Sequence, residues 1–125
     1  MKKITFALIA CVVLGSPVLA ALEFKAVSDW LKLPDGRPQI GNMHGDIAVS
    51  SKGEVYVSVE DPQAGLQVYG QDGKFLRNVP NAPNDFHGFV IRRQPEGEFI
   101  FGARLRGQEI LKIALDGKVA MTIPA

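Results

Sequence analysis

Two histidines, His44 and His87, are the residues of this chain best suited to chemistry, and each precedes a glycine. The local sequences are His44-Gly45-Asp46 and His87-Gly88-Phe89. Imidazole is a good ligand for zinc and other borderline metals. Two imidazoles fall short of a closed zinc site, which takes four ligands, or three and a water. Asp46 could add an oxygen, or its carboxylate could hydrogen-bond a turn. The other reading of His-Gly is a repeat signature whose imidazole bonds a neighbouring backbone carbonyl. Glu60-Asp61, just before Pro62, suits either a cation or a solvated turn. Arg92-Arg93, Arg104 and Arg106 could line a basic rim for an acidic ligand, or remain solvated loop charges. Asn84 or Asp85 suits the cap of a turn. The sequence holds no Ser-His-Asp set, phosphate loop or dinucleotide fingerprint.

The elements that would position these groups follow from an internal repeat. One copy reads His44-Gly45-Asp46-Ile47-Ala48-Val49, then Gly53-Glu54-Val55-Tyr56-Val57, Leu66-Gln67-Val68-Tyr69, Asp72-Gly73-Lys74 and Pro80. The other reads His87-Gly88-Phe89-Val90-Ile91, then Gly97-Glu98-Phe99-Ile100-Phe101, Ile110-Leu111-Lys112-Ile113, Asp116-Gly117-Lys118 and Pro124. The matches place one extra residue of the second copy near Pro95-Glu96. A period of about 40–45 residues with several short strands is that of a propeller blade. Each copy reads as four strands; in the first they are 46–50, 54–59, 66–69 and 75–79. The first of these is apolar enough to be buried on both faces. Asp72-Gly73 is a tight-turn signal, because glycine accepts positive φ. Between glycine and proline breaks no stretch keeps a helical period. The expected fold is therefore all-β, with about two four-stranded antiparallel blades. They span 42–84 and 85–125, after an N-terminal strand and linker over 21–41 in which 23–28 is the strand.

Composition narrows the partners. The chain has 125 residues, with 14 basic and 13 acidic side chains. Nothing in it builds the basic stripe that nucleic-acid binding requires. Met1-Lys2-Lys3, an apolar run over 4–14, the break Gly15-Ser16-Pro17 and the small residue Ala20 form an export-signal pattern. The run is about 11 residues long, whereas a bilayer-spanning helix needs roughly 20. Residues 1–20 are expected to be removed, leaving a secreted or periplasmic chain with no membrane span. Cys11, the single cysteine, leaves with them, so the mature chain forms neither a disulfide nor a thiolate metal site.

Gly-Asp-Ile-Ala-Val at 45–49, Gly-Glu-Val-Tyr-Val at 53–57, Leu-Gln-Val-Tyr at 66–69 and Asp-Gly-Lys-Phe-Leu at 72–76 resemble an NHL-type repeat. The likeness covers 42–124. The opening Trp30-x-x-Leu33-Pro34-x-Gly36, then Gly41, is similar to the start of the six-bladed peptidyl-hydroxyglycine α-amidating lyase-like propellers. That resemblance implies a six-bladed ring whose inner strands face a central channel. It also implies zinc held by histidines at the heads of inner strands, and His87-Gly88-Phe89 matches that motif. The carbonyl at Phe89 would help to hold a structural calcium. His44 stands at the equivalent place of the first copy, where the lyases do not rely on a histidine. Where they carry an arginine important for substrate, this chain has Ser58-Val59-Glu60. The remaining zinc histidines would belong to blades beyond these two.

Two functional expectations result. One is an exported propeller segment that binds or scaffolds a small molecule or peptide. The other is part of a zinc-dependent lyase-like enzyme. Because repeat units are stable only when stacked, two blades imply either a fragment of a longer ring or a homotrimer that closes one.

Overall fold

A computed structural model describes residues 22–34, 36–42 and 45–125. The expected export signal, Cys11 and His44 lie outside the described residues. The described chain is all-β, with two four-stranded antiparallel sheets and no helix. In the first sheet β1 (Ile47–Val49), β2 (Val55–Asp61), β3 (Ala64–Tyr69) and β4 (Phe75–Asn78) follow in spatial order. The second repeats this with β5 (Phe86–Gln94), β6 (Gly97–Arg104), β7 (Glu109–Ala114) and β8 (Val119–Pro124). These are two propeller-like blades, each a meander of hairpins.

The Asp-Gly-Lys turns are built alike. Gly73 and Gly117 adopt positive φ, 77° and 90°. Asp72 and Asp116 accept the amides of Lys74 and Lys118 at 3.1 and 3.0 Å, the bond that favours aspartate in such turns. Each glycine also lies under foreign backbone. A Cβ on Gly117 would sit 1.8 Å from the carbonyl oxygen of Pro80, and one on Gly73 1.8 Å from that of Trp30. Strain and collision act together, so Gly117→Ala should cost about 2 kcal/mol or more in urea unfolding. A cost below about 0.5 kcal/mol would mean that the Pro80 crossover yields freely.

Between the sheets lies one core. Tyr56, Leu66, Val68 and Val79 of the first blade meet Phe86, Phe89, Ile91, Ile100, Leu111 and Ile113 of the second. Polar ties flank it. Ser51 at the first hairpin donates its amide and hydroxyl to Glu98 at 2.9 and 2.7 Å. Arg77 donates to both carboxylate oxygens of Glu54 and to the Tyr56 hydroxyl. Burial, and then the hydrogen bond to Glu54, push the Tyr56 phenol up to about 12.

Three details differ from the sequence reading. First, β1 is not buried on both faces: Ala48 packs on the inter-blade core, while Ile47 and Val49 are exposed. Second, residues 23–28 form no ladder. The N-terminal segment instead joins the first blade further on, where Lys32 bridges Lys74 in parallel. There Leu31 and Ile40 cover Val57, Val59 and Tyr69. Third, the repeats align differently in space. Val68 pairs with Tyr56, whereas its counterpart Lys112 pairs with Phe101, not Ile100. Tyr56 pairs with Ala48, and Phe101 with Val90. The second copy has a longer first hairpin. The first copy recovers one residue in a register shift between Ser58 and Asp61. Because side chains alternate faces, a one-residue change decides which residues enter the core.

Candidate functional site

At one end of the inter-blade seam a cleft opens between the end of β2 and the start of β5. Its walls include Ser58, Glu60, Asn84, His87 and Arg106. The interior measures about 80 Å³, room for a few waters or part of a small polar ligand.

The crossover from β4 to β5 sets its floor. Asp85 closes that crossover, with only 2% of its side chain exposed. Its carboxylate accepts from Arg104 Nε at 2.8 Å and from the amides of Arg106 and Gly107 at 3.1 Å each. The Asp85 carbonyl accepts the Leu105 amide at 2.9 Å. Burial alone would raise the Asp85 pKa. The Arg104 guanidinium and the two amides outweigh it and hold the carboxyl below its usual range. The cap expected of Asn84 or Asp85 thus belongs to Asp85, and what it fixes is the loop between β6 and β7.

That loop carries Arg106 across the seam. Arg106 donates to Glu60 Oε1 of the first blade at 2.7 Å and to Asn84 Oδ1 at 3.1 Å. A planar guanidinium is suited to such forked contacts. Arg104, by contrast, is occupied by Asp85 and Glu109. Arg92 and Arg93 pair with Phe99 and Glu98 toward the opposite end of the sheet. The four arginines therefore form no common basic rim. Arg106 alone faces the cleft.

His87 is exposed at the mouth. The β5–β6 register shifts between Phe86 and Gly88, so His87 sits at a bulge, a device that re-aims a side chain. Asp46 approaches from the first blade: its Oδ2 would lie 3.3 Å from a Cβ built on Gly88. Beneath lies Ser58, which is buried and whose Oγ has no hydrogen-bond partner among the described residues. Gly45 makes this burial possible, since a Cβ there would come within 1.9 Å of Ser58 Oγ and 2.8 Å of the Phe86 carbonyl oxygen. A buried hydroxyl left unpaired costs roughly 1–3 kcal/mol, and a polar guest in the cleft would relieve that cost.

Ser58 is the site residue that the sequence reading did not single out as a donor. Its one signal was a hydroxyl at an interior position of an otherwise apolar strand. Phe89 has its side chain in the core, and its backbone pairs with Gly102, leaving only a main-chain carbonyl to offer a cation. Among the described residues, no three His, Cys, Asp or Glu side chains come together. His87 supplies one donor of the three or four that zinc takes. Against known proteins, the sequence matches no family model and no curated protein.

Proposed function

We propose that the chain is an exported NHL-type propeller segment serving as a binding or scaffold module. Its ligand is a small polar molecule or the end of a peptide, taken in the cleft between the blades. The observation that carries this reading is the unpaired Ser58 hydroxyl at the base of a cleft rimmed by His87 and Arg106. A ligand oxygen accepts from Ser58 and Arg106, while exposed His87 contacts the outer part.

Screening small carboxylates, amino acids, sugars and short peptides by thermal shift tests it. A compound present at about a hundred times its Kd adds roughly 2.7 kcal/mol to stability. The expected result is a compound that stabilises the wild type and loses at least about tenfold in affinity on Ser58→Ala, one hydrogen bond's worth. Binding that ignores both Ser58→Ala and His87→Ala would move the site elsewhere.

The lyase reading has His87 at the cleft mouth in its favour, and it needs ligands from outside the described residues. Zinc analysis separates the two readings. Stoichiometric zinc that falls on His87→Ala favours the lyase; a zinc-free chain that still binds its ligand favours the module.

A further inference from the structure

The second blade buries one face and leaves the other open. Toward the first blade it turns Phe89, Ile91, Ile100, Leu111 and Ile113, all buried. On the far side Val90 is 41% exposed, Ile110 47%, Met121 41% and Ile123 45%. A row of paired residues, Val90, Phe101, Lys112 and Met121, crosses this face. Lys112 stands over the Phe99 ring, 4.0 Å from its centroid, and donates to Gln94 and Glu96 of its own blade. Its charge is already answered, so it does not prevent an apolar surface from docking.

The chain itself shows what such a face takes. The corresponding row in the first blade is Ala48, Tyr56, Val68 and Arg77. Beside it, Leu66 and Val79 correspond to Ile110 and Ile123. In the first blade Tyr56, Leu66, Val68 and Val79 are all buried beneath the second blade. The open face is therefore the repeat of a face that seats a blade.

The surface that would fit it is also present. The second blade docks through Phe89 and Ile91 of its inner strand, which flank Val90. Ile47 and Val49 flank Ala48 in the same way, and they are 61% and 58% exposed. The N-terminal segment covers Val57, Val59 and Tyr69 but leaves this strip bare. Each chain thus carries, on opposite sides, an open blade face and the uncovered β1 strip of the surface that matches it. Continuity with the blade–blade packing inside the chain favours a second copy over a foreign protein.

We propose that the open face of the second blade docks head to tail on the Ile47–Val49 strip of a second copy. Such a contact is heterologous, and repetition closes a ring or extends a filament. It rests on the packing of the blades and is independent of the ligand reading.

Light scattering on the purified chain at tens of micromolar, with Ile47→Lys and Ile110→Lys, tests the proposal. The wild type should weigh at least twice the monomer, and each variant should be monomeric. An equal mixture of the two variants should form a dimer and nothing larger, because one intact strip still meets one intact face. Circular dichroism checks that both keep their sheet signal. Val49→Gln and Met121→Gln replace a lysine variant that does not. A monomeric wild type, variants that stay assembled, or a mixture that stays monomeric would overturn the proposal.

Discussion

Ile100→Ala lowers the unfolding free energy by about 4 kcal/mol, near the upper end for a buried isoleucine. Ile100 is fully buried at the centre of β6 and belongs to the core that joins the blades. It pairs with Ile91 and Ile113 on its flanks, so truncation opens a void that neither neighbouring strand can close alone. Dispersion contacts are lost together with the burial of the side chain. Because that core is what holds one blade to the other, the loss should appear in a single transition reported by both sheets. Denaturant titration followed by Trp30 fluorescence and by far-ultraviolet dichroism measures it. A cost below about 2 kcal/mol, or two separate transitions, would mean that the blades fold without each other's support.

The same residue shows how much of the fold is legible from sequence. The repeat, its four strands and the Asp-Gly turns all emerge from local signals: alternation, glycine spacing and turn chemistry. Facing does not. Matching Gly53-Glu54 to Gly97-Glu98 makes Ile100 the counterpart of Tyr56, and both do lie in the inter-blade core. Yet the pairing makes Phe101 the counterpart of Tyr56, on the opposite side of its sheet. The difference arises from hairpin length and a bulge near Ser58, which leave little trace in composition. The site follows the same rule. His87 is legible because its residue type is rare in this chain, and Asp85 because aspartate closes turns. Ser58 gains its meaning only from Gly45, which lies beside it across the β1–β2 edge. The basic rim fails for a reason of distance: a strand as long as β5 carries Arg92 and Arg93 away from the cleft.

Asp85→Ala should cost about 3 kcal/mol at neutral pH, the scale for removing one partner of a buried charged pair. Three donors lose their acceptor at once: Arg104 Nε and the amides of Arg106 and Gly107. Arg104 keeps Glu109, which limits the loss. The pH dependence identifies the cause. The folded carboxyl lies below its ordinary value, so the folded state binds this proton less readily than the unfolded chain does. The stabilisation is therefore complete above the unfolded pKa, about 3.9, and is lost as pH falls through the lower folded value. Glu54, held low by Arg77, contributes in the same direction and remains in the variant. Urea unfolding at several pH values from neutral down to about 2 should thus give a shallower acid slope for Asp85→Ala than for the wild type. Asp85→Asn should fall between them in stability at neutral pH, since the amide keeps the shape and one acceptor, but should share the shallow slope of Asp85→Ala because it carries no titrating proton. Equal slopes in all three proteins would show that the bonds to Asp85 carry little of the native stability. The position of Arg106 depends on this cap, so Asp85→Ala should also weaken ligand binding in the cleft, although Asp85 itself lies beneath the loop.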